Sequence, residues 1–438
     1  MSASTKPGRL QSVATSLTLV MVVALGARLV FAWNHARQAP EAVLRVVPFQ
    51  TETGHIAYSV ATGKGFSSPF QKDTGPTAWL APVYPLLLAA IFKLFGVYTV
   101  HAFYAAVFLN CLFSTAVCAP LLHITRRIAG LPAASVAVWL WALFPNAVMM
   151  PFEWVWDTSL SAFLAAAILW ATLELAESNR PFDWCAYGLL WGLALLTNPS
   201  LGACLPALLG WAAYRSQKRK LTWGLPALAA AVAMLCCAPW TARNYHLFHR
   251  LVPLRSNFPF ELYIGNNENY EPQRRERPAM ITHDREILRY LRMGEMPFMD
   301  EEKHKATAFI AAHPTVEMEL IARRFVDFWL GTAYPIAALG QGESWEVRVI
   351  LVCNFVLPFG ALAGMVLLLR EKNPFVSPLA AFVIFFPIVY YVTHTSLRYR
   401  HPGDPVLLLL AAIALVRAAT ILSWRATPHR NQLYNAHP

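Results

Sequence analysis

The sequence is dominated by apolar runs too long to be the inward-facing side of soluble helices. A bilayer-crossing helix needs about 20 mostly apolar residues. Runs of that order lie near 12–33, 100–122, 132–151, 158–177, 221–240, 346–369 and 405–423, with shorter ones near 79–96, 184–197, 200–214 and 376–393. Hydrophobic residues make up 56% of the 438-residue chain and charged residues 14%, against about a quarter charged in soluble domains. A soluble enzyme and a disordered chain are thereby excluded. So is an outer-membrane barrel, whose strands would be about ten residues long with period-two alternation. The expectation is an all-α polytopic protein, with the lipid bilayer as its first partner.

Charge decides sidedness. The net charge of +11 does not imply nucleic acid, because much of the excess sits in short loops between apolar runs, where basic residues mark the cytoplasmic side. The run at 79–96 is short and carries Pro82, Pro85 and Lys93. If it does not cross and the N-terminus is inside, the inner segments hold Lys6, Arg9, Arg126, Arg127, Arg180, the RSQKRK stretch at 215–220, Arg370, Lys372, Arg425 and Arg430. The short outer loops then hold only Arg37, Arg45, Lys64, Lys72, Arg398 and Arg400. If it crosses, RSQKRK lands outside, against the rule. About ten spans follow, both ends inside, with 79–96 a juxtamembrane or re-entrant helix on the outer side. The first run reads as an uncleaved anchor, and Arg28 as a side chain snorkelling from its outer end. The seven cysteines all fall in apolar runs, without disulfide or metal spacing.

Three parts result: residues 1–240, an N-terminal transmembrane module with a first outer loop at 34–78; residues 241–345, a mostly helical non-cytoplasmic loop; and residues 346–438, the C-terminal transmembrane helices. In the second, the helical pattern of 300–330 breaks at His313-Pro314, where proline cannot donate a backbone bond, giving two short helices on the membrane.

Polar residues cluster at four places on the expected outer side. In TETGHIAYSVATGKGFSSPF (51–70), Glu52, His55 and Ser59 share one face of a short helix, and Lys64 sits in the following turn. PFEWVWDTS (151–159) places Glu153 and Asp157 in a short loop, PWTARN (239–244) carries Arg243, and HTSLRYRHPGDP (394–405) carries His394, Arg398 and Arg400. Carboxylates can take a proton from a hydroxyl while guanidinium groups hold a departing phosphate. Each residue also has a plain structural reading: Glu52 as a helix-start acid, Asp157 as an N-cap, Glu153 as an interfacial acid, the arginines as interfacial anchors. His55 and His394 are candidates to join Glu52 or Asp157 around a divalent metal, although no ligand spacing requires one and no cofactor is called for.

These stretches carry a resemblance. The segment from TETGHIAYSVATGKGFSSPF through GPTAWLAPVYPLLLAAIFKLFG, then PWTARNYHLF with LRSNFPFELYIGNN, the FIAAHP and RRFVDFW segments and the late RYRHP resemble glycosyltransferase family 39. This is the GT-C group that includes protein O-mannosyltransferases and the lipid A aminoarabinose transferase. The resemblance implies a GT-C helical bundle and an inverting transferase using a polyprenyl-phosphate sugar donor and a hydroxyl acceptor. Its active site would face the periplasm or exterior of a bacterial inner membrane. Thr51-Glu52 aligns with the family's acidic motif, often Asp-Glu, which leaves Glu52 as base; Arg243, Arg398 and Arg400 match phosphate-binding positions. A lipid-linked-sugar flippase or an inactive binding subunit would share these basic groups. If the reading is right, single cysteines at positions 52 and 398 react with a membrane-impermeant maleimide from the same side; labelling from opposite sides would refute it.

Overall fold

The structure is a computed structural model, describing residues 16–217, 223–268, 284–331 and 345–425. Lys6, Arg9, Arg430 and the Lys218–Lys220 part of RSQKRK lie outside the described residues. Among the described residues every named element is a helix, as the apolar runs require, because only internal hydrogen bonds satisfy a backbone in lipid. Among the described residues seven helices are long and apolar enough to cross a membrane: Leu17–Ala36, Val100–Ala129, Leu131–Glu153, Thr158–Leu175, Gly224–Phe248, Val347–Arg370 and Leu397–Ser423. Pro181–Leu195, Leu205–Gln217 and Val376–Phe385 are shorter apolar helices between them. Val83–Phe95, in the questioned run, has 13 residues, or about 20 Å against a hydrocarbon core of about 30 Å. It packs between Glu52–Ala61 and Val100–Ala116.

Proline sets several helix starts. Pro145, Pro181 and Pro314 each open a helix at its first position, where the missing N–H costs nothing. The expected break at His313-Pro314 thus separates Glu295–Ala312 from Pro314–Leu330. The core lies around Thr158–Leu175, 72% buried against 22% for Leu17–Ala36, which places the first at the centre and the second at the rim.

Arg28 is not at the interface. It lies in the middle of Leu17–Ala36, is 0% exposed, and donates to Ser114 Oγ at 2.8 Å and to the carbonyls of Ala24, Ala142 and Trp141. Unused carbonyl lone pairs and a serine satisfy it internally, so it ties three helices together instead of snorkelling.

At the expected inner end, Arg127 pairs with Glu174 at 2.9 Å and lies over the Phe375 ring, while Asn373 donates to the Ile128 carbonyl. The outer segments meet one another elsewhere, around a cleft.

Two helix pairs approach unusually closely, each through a Gly-xxx-Gly pair, the spacing that lets membrane helices bring backbones together. Gly188 and Gly192 face Gly224–Phe248, and a Cβ on Gly192 would lie 2.4 Å from Cys236 Cβ. Gly360 and Gly364 face Asp404–Arg425, and a Cβ on Gly364 would lie 1.9 Å from the Leu410 carbonyl oxygen. Gly364→Leu should therefore destabilise the protein by about 3 kcal/mol, seen as a lower melting temperature in detergent. Leu362→Ala, at a position 62% exposed, should leave it unchanged. Equal melting of both variants would contradict this packing.

Candidate functional site

Thr51 explains how the first polar cluster is built. It is the N-cap of Glu52–Ala61, its hydroxyl accepting from the Gly54 N–H at 3.2 Å, so a threonine starts this helix. Glu52 is then the first helical residue. Its carboxyl is pushed up by burial, an effect opposed by its own N–H and by Arg398.

Asp157 occupies the N-cap position of Thr158–Leu175 yet makes no capping bond; its carboxylate accepts from Ser161 Oγ at 2.8 Å. It faces a cleft whose walls include Thr53, Leu80, Asn198, Arg255, His394 and Arg398. Burial raises the Asp157 carboxyl above the usual range, opposed by the Ser161 bond, Arg398 and Arg255. Segments from the first outer loop, the 151–159 loop and the late 394–405 loop thus converge, as their charges implied. LRSNFPFE supplies the remaining basic side chain.

Arg398 is half-buried. Its guanidinium carbon lies 4.3 Å from the Trp154 ring centroid, 4.8 Å from Trp156 and 4.9 Å from Tyr399, and Nη2 donates to Tyr399 Oη at 3.2 Å. His394 Nε2 is 3.1 Å from the same hydroxyl and Nδ1 is 3.5 Å from Glu261 Oε2.

The other sequence candidates lie away from the cleft walls. Arg243 donates to the Thr77 and Phe66 carbonyls at 2.6 and 2.7 Å, so it clamps the first outer loop. Arg400, 1% exposed, binds Asp404 Oδ1 at 2.9 Å, the Trp329 carbonyl at 2.7 Å and the Asn354 amide. Asn354 in turn exchanges amide bonds with Asn146, joining the late helices to the N-terminal bundle. Lys64 is exposed, 3.3 Å from Asp73. Glu153 is exposed near His35. His55 is half-buried, and burial pushes its imidazole pKa down. Among the described residues no three His, Cys, Asp or Glu side chains gather as metal ligands.

Sequence reasoning missed Arg255, the Trp154/Trp156 pair and Glu295. Glu295 is 5% exposed. Its carboxylate accepts from Thr77 Oγ1, the Ala78 N–H at 2.9 Å, Ser256 Oγ at 2.6 Å and Tyr290 Oη at 2.6 Å, with Arg243 as nearby countercharge. It joins the strip before Leu80 to the residue after Arg255 and so fixes two cleft walls. Nothing local marks it, since an acid near a helix start is common. Glu295→Ala strips four donors of their acceptor and should cost on the order of 3 kcal/mol, lowering the melting temperature in detergent; an unchanged temperature would contradict this role.

Residues 79–242 match the family described as dolichyl-phosphate-mannose-protein mannosyltransferase. Among solved structures, the apo oligosaccharyltransferase of Archaeoglobus fulgidus is 13% identical with a TM-score of 0.52, covering 94% of this chain and 51% of that one. The oligosaccharyltransferase AglB of the same organism, in complex with an inhibitory peptide and a dolichol-phosphate, is 14% identical with a TM-score of 0.49 and coverages of 94% and 51%. ArnT from Cupriavidus metallidurans bound to undecaprenyl phosphate is 16% identical with a TM-score of 0.39, covering 92% of this chain and 78% of that one. The chain spans about half the length of the archaeal protein. No curated protein matches it.

Proposed function

We propose that this chain, an all-helical multi-pass membrane protein of GT-C fold, is an inverting glycosyltransferase of a bacterial plasma membrane. It moves a sugar from a polyprenyl-phosphate donor to a hydroxyl on a lipid, glycan or protein acceptor, at the periplasmic or exterior face. The observation that carries this reading is one cleft holding an acid, Asp157, and two guanidinium groups, Arg255 and Arg398. The two jobs of the reaction need opposite charge, and both are supplied within it.

The step is a single displacement. Asp157 takes the proton of the acceptor hydroxyl as its oxygen attacks the anomeric carbon. The bond from that carbon to the phosphate oxygen breaks, and the lipid phosphate leaves as an anion facing Arg398 and Arg255. Glu52, whose charge acts on Arg398, adds a second acid near the reacting centre. Preorganised positive charge at the departing oxygen is the larger contribution, on the order of 3 kcal/mol per good donor. The match to lipid-phosphate-dependent mannosyltransferases over 79–242 supports the donor class. A flippase would have no use for a base beside the cations, so Asp157 favours chemistry over transport.

The base must be ionised to work. Burial raises the Asp157 and Glu52 pKa values, so activity should climb with pH through a limb placed above the ordinary carboxylate value of about 4. Asp157→Asn and Glu52→Gln keep shape and remove basicity. With a radiolabelled polyprenyl-phosphate sugar and extracted acceptors, Asp157→Asn should lose about 100-fold or more in turnover, and Glu52→Gln should also lose activity. Near wild-type formation of the new glycosidic bond by Asp157→Asn would sink the assignment.

A further inference from the structure

We infer that Trp154 and Trp156 form an aromatic clip over Arg398, completed at one edge by Tyr399, that fixes the guanidinium and leaves its other donors open for a phosphate group. This rests on the proposed function and assigns its donor-binding step three positioning residues.

The clip follows from local backbone. Trp154 leaves its helix in extended backbone, at φ −129° and ψ 100°. Val155 between the two tryptophans turns inward, 4% exposed, while the Trp156 N–H returns to the Trp154 carbonyl at 2.8 Å. Both indoles thereby meet one guanidinium, at 4.3 and 4.8 Å, with Tyr399 at 4.9 Å, inside the roughly 6 Å range of cation–π attraction.

The contrast with the chain's other arginines gives the clip its meaning. Arg28 and Arg400 brace the fold, and protein oxygens occupy their N–H edges. Ring faces stabilise a cation without accepting its in-plane donors. Arg398 accordingly keeps its charge and position while one hydrogen bond, to Tyr399 Oη, occupies its guanidinium. The remaining donors lie in a plane at the cleft, the geometry that pairs with two oxygens of one phosphate.

The test titrates the purified full-length chain in detergent with undecaprenyl phosphate and reads the dissociation constant by calorimetry. Trp154→Leu and Trp156→Leu should each weaken binding about fivefold, and Trp154→Phe, which restores a ring face, should recover much of that loss. Trp154 is 37% exposed, so its replacement leaves the core intact, and the Trp154 variants carry the test. Arg398→Gln should weaken binding further, and adding Trp154→Leu to it should change nothing more. Leucine variants binding like wild type, or Trp154→Leu having the same effect with and without Arg398, would overturn the clip while leaving the proposed function standing. Failure of the wild-type chain to bind undecaprenyl phosphate would overturn both.

Discussion

A carboxylate set among aromatic rings persists only where donors surround it, and Glu295 draws those donors from parts of the chain up to 218 positions away. Thr77 and Ala78 come from the end of the first outer segment, Ser256 and Tyr290 from the second. Phe70, Trp79, Phe260 and Phe298 pack around the junction, lowering the local dielectric and strengthening each bond. A second bond, from the Ser256 N–H to the Ala78 carbonyl at 2.8 Å, runs beside it. The cleft is therefore defined by a polar knot inside an apolar cluster. Loosening the knot frees the wall at Leu80 and the base of Arg255 together.

A similar device operates on the far side. Arg324 donates to the Gly265 and Tyr391 carbonyls, and Asn266 donates to the Val392 carbonyl at 2.8 Å. These bonds tie the helix Phe258–Gly265 to the chain just before His394. The 241–331 stretch is thus fastened twice, once by the buried acid Glu295 and once by the buried base Arg324.

What the sequence made legible was whatever depends on local pattern. Runs of apolar residues announced the helices, and His313-Pro314 announced a break. The polar stretches holding Glu52, Asp157 and Arg398 stood out because charge against a bilayer is costly. Partner choice is a different kind of information. Arg243, Arg398 and Arg400 look alike in sequence, yet carbonyls together with the Trp240 and Phe66 rings take the first, aromatic rings and a phenol the second, and Asp404 with Asn354 the third. That outcome depends on which backbone oxygens and rings happen to be nearby after folding. Arg255 and Glu295 were invisible for the same reason, and the tight glycine contacts because a Gly-xxx-Gly spacing acquires meaning only against a particular opposing helix.

Arg28 bears on how such a chain is put together. A guanidinium near the middle of a hydrophobic segment opposes insertion by about 3 kcal/mol on translocon-derived scales, and the groups that quench it, apart from Ala24, belong to Val100–Ala116 and Leu131–Leu143. Those helices are synthesised later. The leading segment consequently enters lipid as a provisional tenant, and its residence becomes secure only as downstream helices arrive and gather round the charge. The charge of Arg28 is thus fully satisfied only once the first hundred and forty or so residues have packed together.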